Sequence, residues 1–353
     1  IADQVMRLAR GANWRDTAGV SKANRPPLAL TMGDPAGCGP QISAAAWSAL
    51  RAEPDCAFYL IGAPHLVTGV PLREIDDPSE ASAVFAEALP VLALEGIPIV
   101  APGHPDAAAA PGIIQSIERA VADTLAGRAS GVVTNPIHKA LLYSTGFRFP
   151  GHTEFVAHLC EEAGHKAEPV MMLTGGGLRV ALATIHMPYA DVPRALADGR
   201  LERIARVAEA SLRRDFGIEK PRIAFTGLNP HAGEDGTIGR EEVEIINPAA
   251  DRLRAEGLTI SHARSGDTVF AEMLGGAFDA VIAMTHDQGL IPVKTLDMWG
   301  GVNSTLGLPI VRTSPDHGTA YDAARAGTCR PDSLIAAIRL AALFAANRQK
   351  AAA

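Results

Sequence analysis

The chain repeats one local pattern: a short run rich in Val, Ile, Leu and Ala, cut off by polar residues and glycine. Its richest instance begins with the apolar run Ala280–Met284 and breaks into Thr285–Gly289. A short run of this kind predicts a buried strand, and in open α/β sheets ligands bind at the carboxyl ends of strands. The segment from Phe278 to Asp322 is therefore the predicted centre of a functional site.

The segments between the apolar runs have the periodicity of helices. Residues 201–216 place Ile204, Ala208 and Leu212 on one side, as an amphipathic helix does. Strands that alternate with such helices predict an α/β fold with parallel sheets and crossover connections. The 353 residues are enough for two domains at roughly 100–200 residues each.

Composition argues against several classes of protein. Hydrophobic residues make up 47% of the chain and charged residues 20%, which is typical of a folded enzyme rather than of a disordered chain. The formal net charge of −7 argues against a nucleic-acid binder, which usually has a basic face. No apolar run reaches the ~18 residues that a membrane span needs. We therefore expect a cytoplasmic protein with neither a nucleic-acid nor a membrane partner.

Two glycine-containing turns are candidates for binding anions. Met32–Pro40 joins the predicted strand Leu28–Thr31 to a helix, and a Pro-Gly turn precedes His152 and Thr153 at another helix start. Backbone N–H groups at such starts favour phosphate or carboxylate. Each segment also has a simpler interpretation: a tight turn in the first case, and a helix capped by Thr153 with a surface histidine in the second.

Three histidines, His186, His231 and His286, each follow a predicted strand by a few residues. A neutral imidazole is the commonest metal ligand, and three protein ligands with one open position are typical of a catalytic metal. Because the three are far apart in sequence, the fold or a dimer would have to assemble them. A lone histidine is more often an ordinary, partly exposed residue, so both interpretations stay open.

Lys294, Asn303 and Arg312 recur at nine-residue intervals in a segment rich in turn residues. The Arg guanidinium offers a bidentate fork for a carboxylate or phosphate, although each residue alone is also compatible with a solvated loop. Together with a metal, these residues indicate an anionic, hydroxylated substrate whose hydroxyl is polarised as it is oxidised.

Eight motifs, in order along the chain, resemble the 4-hydroxythreonine-4-phosphate dehydrogenase family of vitamin B6 synthesis. They are Thr31–Gly37, Thr134–Pro136, Pro150–Phe155, Asn229–Glu234, His286–Leu290, Gly301–Asn303, Thr305–Pro309 and Arg312–Ala320. The resemblance extends from Leu28 to Gly327.

The resemblance implies an isocitrate/isopropylmalate-dehydrogenase-like α/β fold, with two α/β/α subdomains and a cleft between them. The first subdomain, on the cofactor side, would comprise residues 27–147 and 308–350. The second, residues 148–307, would carry the metal and the dimer interface, and residues 1–26 would be an amino-terminal extension. In that family a homodimer shares its active site between subunits.

The resemblance also assigns roles to residues. The family's metal ligands match His186, His231 and His286, which would hold Zn²⁺, Mg²⁺ or Co²⁺. Its substrate contacts match His152, Thr153, Lys294, Asn303 and Arg312, and the candidate catalytic residues are Lys294 and Asp287. The adenosine-binding loop of the isopropylmalate dehydrogenases resembles the segment with His317, Gly318, Thr319 and Asp322, where Tyr321 replaces a proline. This loop would bind NAD or NADP.

The activity that the resemblance implies is a metal-dependent oxidation with NAD(P)⁺. The family converts 4-phosphooxy-L-threonine, a small phosphorylated hydroxy-amino acid, to 2-amino-3-oxo-4-phosphooxybutanoate, which loses CO₂ to give 3-amino-2-oxopropyl phosphate. The physical interpretation agrees, because a β-keto acid decarboxylates through an enolate that a metal stabilises.

The chain departs from the family pattern at several positions. Gln41 stands where many members carry an acid, Thr285 replaces a usual tyrosine, Trp299 lies in an altered stretch, and Ser304 replaces Val or Ile. Thr285 and Trp299 leave the substrate open: a 4-phospho-threonate or erythronate, or a cis-dihydrodiol dicarboxylate, would undergo the same chemistry. A non-catalytic ligand-binding sensor that keeps the pocket without turnover is the alternative from another class.

Overall fold

The structure, a computed structural model, describes residues 25–352. Among them, one compact unit is contiguous, Val170–Gly307, and a second combines residues 25–169 with residues 308–352. We call these the contiguous unit and the split unit. The predicted extension, residues 1–26, lies outside the described residues except for Arg25 and Pro26.

Strands and helices alternate along the described chain. The strands are β1 (Leu28–Thr31), β2 (Phe58–Gly62), β3 (Leu72–Glu74), β4 (Leu89–Ala93), β5 (Val132–Val133), β6 (Val170–Gly175), β7 (Leu178–Leu182), β8 (Arg222–Thr226), β9 (Thr259–Arg264), β10 (Ala280–Ala283), β11 (Val302–Leu306) and β12 (Arg312–Pro315). The helices are α1 (Gly39–Leu50), α2 (Ala81–Val84), α3 (Ala110–Leu125), α4 (Lys139–Tyr143), α5 (His152–Glu162), α6 (Val192–Leu196), α7 (Arg200–Arg214), α8 (Asn247–Ala255), α9 (Val269–Leu274), α10 (His286–Leu296), α11 (Tyr321–Ala326) and α12 (Asp332–Ala352).

The split unit is built on parallel strands in the order β3-β4-β2-β1-β5-β12. Strand β1 is buried at every position, which is typical of a parallel strand covered by helices on both faces. Strand β12 comes from the far end of the sequence and pairs with β5 through Arg312 and Thr313. The carboxyl-terminal helix α12 packs on β12.

The contiguous unit has the strand order β11-β6-β7-β10-β8-β9. Strand β10 buries Ala280 and Ile282 in one hydrophobic cluster and Val281 and Ala283 in another, so both of its faces are covered. The predicted amphipathic helix is α7, which buries its apolar side as expected. The predicted α/β class with two α/β subdomains is confirmed.

Strand β6 corrects the prediction of purely parallel sheets. It runs antiparallel to both β7 and β11, whereas the remaining pairs of this unit are parallel. Gly176 and Gly177, with φ of +57° and +86°, make the two-residue turn between β6 and β7. Consecutive glycines suit such a turn because they adopt positive φ without steric cost.

The two compact units divide between residues 169 and 170 and between residues 307 and 308. Helix α5 packs on α3 and belongs with it to the split unit. The subdomain bounds that the resemblance implies stay a prediction. Placing the cofactor in one unit and the metal in the other stays a prediction. Within residues 25–352, no helix combines the length and apolar character required to cross a membrane.

Candidate active site

The three candidate metal ligands follow neighbouring parallel strands of the contiguous unit. Strand β10 lies between β7 and β8 and is parallel to both. His186 comes after β7, His231 after β8 and His286 after β10. Since the carboxyl ends of parallel strands meet at one edge of a sheet, all three histidines follow strands at the edge where open α/β sheets generally bind ligands.

His186 and His286 share a pocket. Their ring centroids are 5.5 Å apart, at an angle of 44° between the planes. The pocket has a volume of about 210 Å³ and is lined by Thr184, Ile185, His186, Met187, Tyr189, Val192, Thr285, His286 and Asp287. The Thr184 hydroxyl donates to the Met284 carbonyl over 2.7 Å, which ties the ends of the two strands together.

Asp287, a candidate catalytic residue, contacts a candidate metal ligand. Its Oδ1 lies 2.8 Å from Nδ1 of His286, so Nε2 of that ring is the nitrogen left to face a ligand. Carboxylates in this position orient metal-binding imidazoles and raise their basicity. The hydrogen bond from His286 also lowers the pKa of Asp287. Asp287 therefore has the geometry of a residue that orients His286.

His231 lies outside that pocket, on a 3₁₀ segment, Pro230–Gly236, whose interior is left-handed. Its side chain is 64% exposed, and its Nδ1 lies 2.8 Å from Oε1 of Glu234. That hydrogen bond and the Glu234 charge raise the pKa of His231. Among residues 25–352, no three His, Cys, Asp or Glu side chains of one chain are grouped closely enough to hold a metal.

Lys294 and Asn303 lie on other elements of the contiguous unit. Lys294 is near the end of α10, the helix that begins with His286, and is partly exposed. Asn303 lies on β11 opposite Leu173, and its buried Oδ1 accepts no hydrogen bond from the described residues. Neither residue lines the pocket of His186 and His286.

The split unit holds a second group of predicted residues. Arg312, on β12, is only 3% exposed and donates from Nη2 to the Thr134 hydroxyl over 2.7 Å. Burial lowers the pKa of Arg312 to about 10, and the Glu154 carboxylate opposes that shift. The guanidinium thus remains a cation at neutral pH, in surroundings where a charge is costly unless an anion accompanies it.

His152 opens helix α5 in the same unit. Its Nε2 is buried without a hydrogen-bond partner among the described residues, although the residue as a whole is partly exposed. Burial, then the charges of Arg312 and Lys139, hold the pKa of His152 well below its ordinary value. His152 is therefore neutral at physiological pH. The interpretation of Thr153 as the helix cap is wrong, because the cap is Gly151 and Thr153 is the second helical residue.

Lys139 is a residue of this group that the sequence did not single out. A Cβ built on Gly151 would lie 3.5 Å from its Nζ, so the ammonium sits against the start of α5. The only signal was its place at the end of the polar run that follows β5. A positive charge beside a neutral imidazole and a buried guanidinium favours an anionic ligand.

The candidate cofactor loop, residues 317–322, packs on the glycine-rich turn that follows β1. The Cys38 N–H donates to the Thr319 carbonyl over 2.8 Å, and the Tyr321 hydroxyl donates to Oδ2 of Asp34 over 2.5 Å. A Cβ on Gly37 would lie 2.8 Å from the Thr319 oxygen. These contacts hold the loop against the turn. Several N–H groups of the turn are thus bonded to protein carbonyls, Cys38 N–H to Thr319 among them. His317, Thr319 and Asp322 are partly or fully exposed, and, apart from Gly318 and its chain neighbours, no atom of residues 25–352 lies within 4 Å of a Cβ built on Gly318.

Fold and site together define a class: an α/β protein of two units, one presenting histidines at the ends of parallel strands and the other burying an arginine beside a neutral histidine. A model of the family described as "Pyridoxal phosphate biosynthetic protein PdxA" matches residues 56–341. The chain belongs to this family, which confirms the resemblance carried by its motifs.

Curated relatives and solved structures agree. The 4-hydroxythreonine-4-phosphate dehydrogenase of Caulobacter vibrioides is 51% identical over 331 residues, covering 91% of this chain and 98% of its own length. The crystal structure of the enzyme of that name from Klebsiella pneumoniae superposes with a TM-score of 0.82 at 37% identity, covering 92% of this chain and 99% of that one. A terephthalate 1,2-cis-dihydrodiol dehydrogenase from Burkholderia xenovorans has a TM-score of 0.61 at 29% identity, covering 90% of this chain and 98% of that one.

Proposed function

We propose that this protein is a metal-dependent NAD(P)⁺ oxidoreductase acting on 4-phosphooxy-L-threonine in vitamin B6 synthesis. The substrate hydroxyl loses its proton and its carbon loses a hydride to NAD(P)⁺, giving 2-amino-3-oxo-4-phosphooxybutanoate. Loss of CO₂ then gives 3-amino-2-oxopropyl phosphate. The names of the relatives support the substrate, and the observation that carries the chemistry is the pair of facing imidazoles, His186 and His286, at adjacent strand ends.

The donor set fits a divalent metal, Zn²⁺, Mg²⁺ or Co²⁺. The side chains of His186, His231 and His286 offer imidazole nitrogens on one sheet edge, and the Nδ1 atoms of His231 and His286 are already engaged by carboxylates. When bound, the metal supplies Lewis acidity at the substrate oxygens. The role proposed for Asp287 is to fix the orientation of His286.

Other residues bind the anionic substrate. Arg312 and His152, with Thr153 beside them, anchor an anionic end, and the buried Nε2 of neutral His152 offers a hydrogen bond to it. Lys294 stabilises the negative charge that develops on the substrate oxygen, and Asn303 offers its buried Oδ1 to a donor of the substrate. The loop with His317, Gly318, Thr319 and Asp322 binds the adenosine part of NAD or NADP.

The functional protein is proposed to be a cytoplasmic homodimer whose active site is shared between subunits. His231 supports this proposal, since its side chain is mostly exposed on its own chain and is accessible to a second copy. A shared site then brings together histidines of two chains around one metal.

The test is formation of reduced nicotinamide from 4-phosphooxy-L-threonine, measured by absorbance with added Zn²⁺, Mg²⁺ or Co²⁺ and again with a chelator. Turnover that requires the metal and is lost in His231→Ala is the expected result. Full activity in chelator, or in His231→Ala, contradicts the metal site. Metal-dependent turnover of another substrate instead contradicts only the choice of substrate.

Two observations favour assays with other substrates. Thr285, which replaces the usual tyrosine, lines the pocket of His186 and His286. A related structure also carries the name of a dihydrodiol dehydrogenase. Phosphorylated threonate or erythronate and a cis-dihydrodiol dicarboxylate are therefore assayed alongside. A sensor without turnover would bind these ligands and leave NAD(P)⁺ unreduced.

A further inference from the structure

The segment that carries His231 has an unusual backbone. His231, Ala232, Glu234 and Asp235 have φ between 42° and 54°, with Gly233 between them at 78°. Non-glycine residues avoid this left-handed region because Cβ approaches the following carbonyl oxygen. Consecutive residues of this kind persist only where the surrounding structure holds them, and such strain clusters at functional sites.

One buried carboxylate binds the backbone immediately before this segment. Glu242 is 1% exposed and lies at the start of a π-helical turn, Glu242–Ile246. Its Oε1 accepts hydrogen bonds from the N–H groups of Leu228 and Asn229, over 2.7 and 2.8 Å. Its Oε2 accepts from Nδ2 of Asn229 over 2.9 Å. These charge-assisted bonds fix the backbone immediately before His231.

The carboxylate also packs against the segment itself. A Cβ on Gly233 would lie 2.5 Å from Oε2 of Glu242, and one on Gly227 would lie 3.1 Å from Oε1. Both glycines thus let the backbone close around the carboxylate. Glu242 is enclosed by the residues on either side of His231, and its position depends on the left-handed path that they take.

Two carboxylates therefore act on His231 at different levels. Glu234, within the segment, contacts Nδ1 of the ring, whereas Glu242 holds the backbone that carries the ring. We propose that Glu242 is a positioning residue for His231, which presents Nε2 to the metal only while the left-handed segment is held. This inference rests on the proposed role of His231 as a metal ligand.

The test compares Glu242→Gln with a matched control, Glu202→Gln. In Glu242→Gln, a side-chain NH₂ would face Nδ2 of Asn229, which is itself a donor. Glu202 is a buried glutamate of the same unit whose Oε1 accepts from Nε of Arg252 over 2.8 Å, away from the histidines. Binding of Zn²⁺ and Co²⁺ to the full-length protein is measured by calorimetry, and the Co²⁺ absorption reports histidine ligation.

We expect Glu242→Gln to weaken metal binding by about 10- to 100-fold, as the loss of outer-shell partners typically does. Glu202→Gln should bind the metal like the wild type. In the His231→Ala background, Glu242→Gln should have no further effect, because it acts through that imidazole. Should Glu242→Gln fail to fold, Glu242→Asp keeps the charge, shortens the side chain and should still weaken binding.

Unchanged metal affinity in a folded Glu242 variant overturns the inference. So does equal weakening in Glu202→Gln, which would mark a general loss of stability. A wild type that binds neither Zn²⁺ nor Co²⁺ overturns the metal site and this inference together. A wild type that binds metal without turning over 4-phosphooxy-L-threonine contradicts the proposed substrate alone, since the binding comparison still applies.

Discussion

Tyr321→Phe is a single-atom test of how the candidate cofactor loop is held. Tyr321 stands where the related loop has proline, and its hydroxyl donates to the buried Asp34 over 2.5 Å. Burial, then the Asp34 carboxylate, raise the pKa of Tyr321, so the phenol stays protonated and remains the donor. The substitution leaves the ring against His138, 5.5 Å between centroids, and removes only the hydroxyl.

The expected loss of binding energy in Tyr321→Phe follows from the type of hydrogen bond that is removed. A hydrogen bond to a charged group contributes about 1.5–3 kcal/mol. Asp34 keeps its bond from the Ala36 N–H, so the lower end applies. The Cys38 N–H bond to the Thr319 carbonyl and the Cys38 Sγ contact to the Gly318 carbonyl remain, but the end of the loop at Tyr321 loses its own bond to the turn. If the loop conformation that binds the dinucleotide loses about 1.4 kcal/mol of stabilisation, the dinucleotide affinity becomes tenfold weaker.

The assay is titration with NAD⁺ and NADP⁺, read by fluorescence or calorimetry, together with KM and kcat. We expect KM for the dinucleotide to rise about tenfold with kcat nearly unchanged. Tyr59→Phe is the matched control, since Tyr59 donates to the buried Asp123 over 2.8 Å in the same unit, away from the loop. Equal affinities in wild type and Tyr321→Phe, or an equal loss in Tyr59→Phe, would refute the reasoning.

Three further predictions concern stability. Asp123→Ala should lower the free energy of unfolding by about 2–3 kcal/mol, because it strands the buried Tyr59 hydroxyl; an unchanged urea midpoint would contradict this. Ser304→Ala should raise it by about 1 kcal/mol, because the buried hydroxyl has no partner among the described residues, and a lower thermal midpoint would count against it. Because the pKa of His152 is depressed in the folded protein, its imidazole binds a proton in the unfolded chain at pH values where the folded protein leaves it neutral. His152 therefore leaves the free energy of unfolding unchanged above its ordinary pKa of 6.5 and lowers it as the pH falls below that value. His152→Gln should flatten this fall between about pH 6.5 and 5, and equal slopes of stability against pH in variant and wild type would exclude the effect.

Sequence patterns predicted the elements whose apolar residues follow a regular burial pattern. The apolar run at Ala280–Met284 became β10, which is buried on both faces, and residues 201–216 became α7, which buries one apolar side. The antiparallel β6 was missed although Gly176 and Gly177 were its signal. The division of the compact units after residue 169 depends on the packing of α5 on α3, and no local pattern encodes that contact.

The candidate site was likewise predicted only in part. The sequence pattern places His186, His231 and His286 after predicted strands, but only the structure reveals that His186 and His286 share a pocket. The left-handed path at His231 was not predictable, since His, Ala, Glu and Asp carry no preference for positive φ as strong as that of glycine. Lys139 was passed over because its partner, the start of α5, lies beyond an intervening loop.

The split unit has a consequence for synthesis on the ribosome. Strand β5 emerges early, but its neighbour β12 and the covering helix α12 are encoded after the whole contiguous unit. At about 5–20 residues per second, on the order of ten seconds pass between them. During that interval the edge of β5 that pairs with β12 has no partner strand, while the whole contiguous unit, residues 170–307, is synthesised. Chaperones that shield strand edges would therefore act on the first half of this protein until its last strand is made.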